Sequence, residues 1–202
     1  MAYAADKAVV VASLDDPDGS LVDCRRQILS GHAEAVTCVA FSECGTELVT
    51  AQKGPFPCVS VYRAVSTGVD ETDENVTFVL RASFRASCAS ATELVTAQKK
   101  GGGTRLALLG ETPAGSFQKA SIEVWDWDYV TEKKKDAPPA KILSFVSRET
   151  ARATCVAFSP DRDDRLFVCG DGFVTEATLA LDPASRSSAS IEKRGRARAS
   201  PR

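Results

Sequence analysis

Histidine is almost missing from this 202-residue chain, which has one, together with one methionine and two tryptophans. A lone imidazole cannot build a His-based metal site. The seven cysteines, none in a C-x-x-C pair, do not build a zinc site either. Their odd number also argues against a disulfide framework. Cys38 and Cys155 sit inside apolar runs and read as small buried hydrophobes, which points to a reducing, intracellular compartment. No apolar run approaches the roughly 18 residues of a membrane span. The run Ala8–Ala12, behind Asp6 and Lys7, is too short for a secretory signal. The G-x-x-x-x-G-K-[ST], G-x-G-x-x-G and G-x-S-x-G patterns are all missing, so the glycines at 101–103 read as part of a flexible insertion. No cofactor, metal or catalytic residue is assigned, and the chain reads as a non-enzyme.

Amphipathic helices are missing too. What the sequence does hold is a series of short β-rich runs, including KAVVVASL from 7, VTCVAFS from 36, CVSVYRA from 58, VTFVLRASF from 76, SIEVWDW from 121 and FVTEATLAL from 173. A hydrophobic content of 44% is enough for a core. Formal net charge is −2, but it is unevenly spread. The last 20 residues hold six Lys/Arg against Glu192, leaving 19 basic and 26 acidic side chains, a net of −7, on the first 182. The Ser- and Arg-rich segment 183–202 is expected to be a disordered basic tail. Polar insertions are expected at 66–75, 99–119 and 130–141.

Internal repetition is the strongest signal. TELVTAQK occurs at 46–53 and again at 92–99, and VTCVAFS at 36–42 is echoed by ATCVAFS at 153–159. Eight identities in so short a chain are not a chance event; they point to duplication or to a gene-prediction error. A spacing of about 40 to 50 residues indicates a repeat architecture. Within the octapeptide, Leu48, Thr50 and Gln52 alternate with Val49 and Ala51, so each set faces one side of a strand without dominant charge. That is the pattern of a strand buried on both faces.

These residues resemble WD repeats of the WD40 type. SGHAEAVTCVAFSECGTELVTA followed by VSVYRAVSTG, then IEVWDW, then VAFSPDRDDRLFVCGDG, carry the family's motif elements in order. The resemblance implies an all-β, partial β-propeller over residues 1–182, with about three four-stranded antiparallel blades and no closure of its own. The implied parts are the third and fourth strands of one blade (7–30), a full blade (35–84), a degraded blade lacking a strand (93–146) and three strands of another (152–181). Both octapeptides would be second strands. The family's His, Ser/Thr, Asp and Trp positions fall on His32, Thr50, Thr96, Trp125, Asp126 and Asp171. No blade has the whole set, so their implied role is structural.

A narrower resemblance, carried by TAQKG-P and WDWD, is to the N-terminal propeller of echinoderm microtubule-associated-protein-like and flagella-associated WD-repeat proteins. It implies a non-catalytic scaffold, cytoplasmic or at the cytoskeleton or cilium, binding tubulin or axonemal proteins. Lys133, Lys134, Lys135, Arg194, Arg196 and Arg198 are the candidate contacts, because a body of net −7 is not drawn to acidic tubulin. Alternatives are a general adaptor in another intracellular complex, or a truncated product without independent function. Nucleic-acid binding by the basic tail is the weaker reading, and no membrane partner is expected. The missing blades would come from the rest of a longer chain or from another subunit.

Overall fold

A computed structural model describes residues 1–12, 26–66, 76–99, 103–112, 120–127, 140–146, 153–162, 164–181 and 189–197. The described residues are all β, in four antiparallel sheets, each of three or four strands. The first blade is β1 (Ala2–Ala5), β2 (Ala8–Ala12) and β3 (Arg26–Leu29). The second is β4 (Val36–Phe41), β5 (Glu47–Gln52), β6 (Cys58–Ser66) and β7 (Val76–Arg85). The third is β8 (Ser90–Gln98), β9 (Thr104–Glu111), β10 (Ser121–Trp127) and β11 (Ala140–Val146). The fourth is β12 (Ala153–Phe158), β13 (Arg165–Gly170), β14 (Phe173–Leu181) and β15 (Ala189–Ala197). No helix is present among them, so none is long and apolar enough to cross a membrane.

Within every four-stranded blade the chain runs strand by strand in sequence order, and first strands of successive blades lie against each other, β1 on β4, β4 on β8 and β8 on β12. This is the radial arrangement of a propeller, left open. Alternation along each strand divides its side chains between two neighbours. Leu48 of β5 packs with Val9, Leu29 and Tyr62 between the first and second blades. Val49 and Ala51 of the same strand pack with Leu94, Leu106 and Trp125 between the second and third. On β9, Leu106 and Leu108 face the second blade while Ala107 and Leu109 face the fourth.

Four expectations are corrected. The second TELVTAQK lies on β8, a first strand, whereas the first copy lies on β5, a second strand. The third blade lacks no strand, because its second strand is β9, inside the segment read as the insertion 99–119. TRLALLG within that segment is wholly buried, and its apolar alternation outweighs the flanking glycines. The first blade begins at Ala2 and contains β1, ahead of the expected 7–30. Residues 189–197 of the expected disordered tail pair with β14 as the fourth strand of the last blade, their backbone hydrogen bonds outweighing a polar composition. The insertions at 66–75 and 130–141 fall largely outside the described residues, as do 183–188 and 198–202.

The assignment of β9 makes an opposite prediction to a loop. Leu108→Ala should destabilise the chain by about 2–5 kcal/mol in urea denaturation, the range for an aliphatic core truncation. Leu108 is 1% exposed. Gly110→Ala should also destabilise it, because an added Cβ would lie 2.5 Å from Cys88 Sγ and 2.8 Å from Ser90 O. A change within about 0.5 kcal/mol for both would return the segment to a surface insertion.

Candidate functional site

The repeat positions separate into different local roles. Gly31, at φ +124°, turns the chain so that His32 enters the interior at 6% exposure. Its Nδ1 lies 3.2 Å from Gln52 Oε1 and its Nε2 2.7 Å from Thr50 Oγ1. In the neutral ring Nδ1–H donates to the amide oxygen and Nε2 accepts from the hydroxyl. The Ala33 N–H donates to the same Gln52 oxygen at 3.2 Å, so β5 holds the whole turn. Burial lowers the His32 pKa from 6.5, with the Gln52 bond opposing the shift in part.

Thr96 does not repeat the role of Thr50. It lies on a first strand, and its hydroxyl donates to Phe41 O of the preceding blade at 2.7 Å. Trp125 packs on Phe84, with ring centroids 4.2 Å apart, and Lys141 Nζ lies 5.4 Å from its ring centroid. Its Nε1 has no hydrogen-bond partner. Asp126 meets Lys99 at 2.9 Å and Arg105 at 3.4 Å. Asp171 is exposed in the two-residue turn before β14, next to Gly172 at φ +73°. The structure therefore brings His32 to Thr50 and leaves the other four positions apart. Arg194 and Arg196 belong to β15, with the backbone alone described. Lys133, Lys134, Lys135 and Arg198 lie outside the described residues.

A shared feature of the first strands was missed in the sequence. β4, β8 and β12 each carry a bulge, at Thr37, Thr92 and Thr154 respectively. The Thr37 hydroxyl donates to Ala91 O in the next blade at 3.0 Å, and that of Thr92 to Leu109 O at 3.1 Å. Glu93, just after the second bulge, accepts from Val156 N at 2.6 Å across to the fourth blade. The signal was available as an apolar residue followed by Thr at 36–37, 91–92 and 153–154.

Where these three first strands end, they enclose an open cleft of about 490 Å3. Phe41 and Phe158 contribute its aromatic surface, Val95 and Ala157 its aliphatic surface, and Glu43 and Asp161 its acidic groups. Arg162 also lines it, but its guanidinium is engaged by Asp164 at 2.6 and 2.9 Å. The Ser159 hydroxyl donates to Asp161, which holds that carboxyl below its ordinary pKa and hence ionised at neutral pH. Gln98 donates from Nε2 to Gly103 O at 3.0 Å, leaving its buried Oε1 without a partner. No His or Cys lines the cleft. Elsewhere burial raises the thiol pKa of Cys38, and raises that of Cys88 to about 12 with Glu123 adding to the effect, so neither is a poised nucleophile. Among the described residues no group of three His, Cys, Asp or Glu side chains could hold a metal.

Comparison with known proteins agrees with this architecture. Residues 23–54 match the family "WD domain, G-beta repeat", a span that includes His32 and Thr50. No curated protein matches the sequence. Among solved structures, Sqt1 from Chaetomium thermophilum superposes with a TM-score of 0.57 at 17% identity, over 85% of this chain and 40% of that one. The same protein bound to the N-terminus of the ribosomal protein L10 gives the same score and identity, over 42% of its chain. The chain thus spans about two fifths of the length of these neighbours. Identity this low supports the fold and nothing finer: a partial β-propeller, in which residues 23–54 match a WD repeat.

His32 gives a test of the repeat-turn geometry. Its folded pKa lies below 6.5, so the unfolded chain binds more protons between that value and 6.5. Its contribution is complete above pH 6.5 and declines as pH falls through the window. His32 is the single histidine of the chain, and comparison with a variant lacking it isolates its share of the change. His32→Ala should cost about 1–3 kcal/mol at pH 7.5, because Thr50 and Gln52 lose a buried partner. Urea melts at pH 7.5 and 5.5 should show wild type losing stability on acidification and the variant losing distinctly less. Equal losses would separate His32 from this network.

Proposed function

We propose that the chain is a non-catalytic interaction scaffold that receives an extended, basic peptide segment in the cleft at the ends of β4, β8 and β12. The observation that carries this reading is the chemistry of the lining. Aromatic and aliphatic surface would take the stem of a Lys or Arg side chain, and the carboxylates of Glu43 and Asp161 its charge. The bulged first strands are tied to one another across the blades, so the cleft is preorganised and binding orders little of the protein. The neighbour with the L10 N-terminus bound supports a peptide as the type of ligand. Attachment to microtubules or an axoneme, with tubulin as partner, is the finer version of the scaffold reading. It rests on TAQKG-P and WDWD and on lysines outside the described residues.

Fluorescence polarisation with a labelled Arg- and Lys-containing decapeptide tests the cleft. Glu43→Lys with Asp161→Lys should weaken binding at least about tenfold, or about 1.4 kcal/mol. An equal charge change at exposed sites away from it, Asp6→Lys with Glu34→Lys, should change binding less than about twofold once salt screens distant charges. Equal weakening by both pairs would mean attraction to the acidic body as a whole and would remove the cleft from the account.

A further inference from the structure

We propose that the turn 53–57, together with Arg85 and Lys141, forms a second docking surface, which takes an extended acidic peptide carrying an apolar side chain. The turn joins β5 to β6. Val36 pairs with Gln52, so the turn lies where β4 begins, at the opposite end of the sheets from the cleft. Its blade is packed on both sides by neighbours, against the first blade through Leu48 and Tyr62 and against the third through Val49 and Val59. The exposure of the turn therefore owes nothing to the ends of the arc.

Phe56 stands in the turn at φ +53°, in the left-handed region that glycine enters freely and a bulky side chain enters at a cost. Its ring is 59% exposed, the most exposed aromatic among the described residues, so packing of the ring does not offset that cost. Hydrogen bonds to the linker between β7 and β8 hold the turn instead. Phe56 N–H donates to Cys88 O at 3.0 Å, Ala86 N–H to Pro57 O at 3.0 Å, and Arg85 Nη1 to Phe56 O at 3.3 Å. Pro55 and Pro57 restrict the backbone on either side. Both backbone groups of Phe56 are thus engaged, and a fixed turn presents the ring to solvent. Strain held by its surroundings, with the side chain left in water, is the arrangement of a ligand contact rather than of a core contact.

The charge beside the ring selects the partner. Arg85 is exposed, and its bond to Phe56 O occupies one of several guanidinium donors. Lys141 reaches the same linker from the third blade, where its Nζ donates to Ser87 Oγ at 2.8 Å and lies 3.7 Å from Glu123 Oε2. The Lys141 side chain is 35% exposed and that of Glu123 1%, so the cation meets solvent and the carboxylate does not. Glu34 borders the turn at Gly54, whereas the two cations gather at Phe56 O and Ser87. On a body whose first 182 residues sum to −7, this is a local reversal of sign beside an exposed aromatic. Its complement is an acidic segment whose carboxylates meet Arg85 and Lys141 while an apolar side chain covers the Phe56 ring. The turn is already held, so docking orders little of the protein. This surface does not depend on the cleft having a ligand.

Fluorescence polarisation on the full chain, with a labelled decapeptide of Asp and Glu around a central Leu, tests it. Phe56→Ala and Arg85→Glu should each weaken binding at least about tenfold. Exchanging the peptide's Asp and Glu for Asn and Gln should erase the difference between wild type and Arg85→Glu. Phe56→Asn separates a docking ring from a structural one, because asparagine tolerates the left-handed backbone. It should keep or raise the midpoint of urea denaturation while weakening binding as much as Phe56→Ala. Arg26→Glu, an equal charge change at the exposed start of β3, should change binding less than about twofold once salt screens distant charges. No binding by wild type, a lowered urea midpoint in Phe56→Asn, or equal weakening by Arg26→Glu and Arg85→Glu would each overturn the proposal.

Discussion

A sheet only four strands wide has two faces and cannot cover either of them by itself, and the rest of this structure depends on that constraint. Each blade must be packed between two others, so each inner strand must be apolar on both sides. β5 is the plain case: Glu47 to Gln52 are all buried, and the residues alternate between two separate cores. Burial on both faces also strands polar groups, and the chain answers with short hydrogen bonds between blades. Thr37 and Thr96 each donate to a carbonyl of a neighbouring blade, and Glu93 accepts a backbone N–H from another. The Gln27 side chain does the same at the outer edge, where its amide both donates to Phe78 O at 2.8 Å and accepts from Phe78 N at 2.7 Å. Such bonds orient the blades, while apolar burial supplies most of the driving force.

The same constraint explains which parts of the fold were legible in the sequence. Alternation within TELVTAQ placed Leu48, Thr50 and Gln52 on one face and Val49 and Ala51 on the other, and the two cores divide them that way. Alternation says nothing of a strand's rank within its blade, since β8, a first strand, divides Leu94 and Val95 between two cores just as the second strand β5 divides Val49 and Leu48. By alternation alone the second octapeptide reads like the first, and the third blade then reads as one strand short. Rank is set by what flanks the segment. Thr92 corresponds to the bulge residues Thr37 and Thr154, and the short stretch from Ala86 to Ala89 leads straight from the outer strand β7 into β8. β9 is obscured in the sequence by the three glycines that precede its seven buried residues.

Of the site, the sequence disclosed residue types more readily than their meeting. Gly31-His32 and Thr50 were recognisable as a pair because the turn and strand motifs are local and their spacing is fixed. The cleft was not, because Glu43, Gln98 and Asp161 come from the ends of three blades and only the radial packing brings them together. Ser159 and Asp161 fall in a stretch that reads as an ordinary hairpin connection, and their pairing follows from the turn's geometry.

The altered rank of the second octapeptide also accounts for the way the third blade is held. In a WD-type blade a hydroxyl on the second strand can serve the tryptophan of the third. Here the ladder partner of Trp125 on β9 is Leu106, and the nearest counterpart of Thr50, Thr96, lies one strand further in and is bonded to Phe41. The indole N–H is left without a partner as a direct result. Other contacts take over its anchoring. Its ring stacks on Phe84 of the preceding blade, and the next residue, Asp126, draws in Arg105 from the strand beside it and Lys99 from the end of β8. Arg105, 1% exposed, is the buried member of that cluster, while the Lys99 and Asp126 side chains keep 14% and 16% of their surface exposed. One octapeptide thus serves two blades by different means: in the second its threonine secures a histidine turn, and in the third it secures the neighbouring blade.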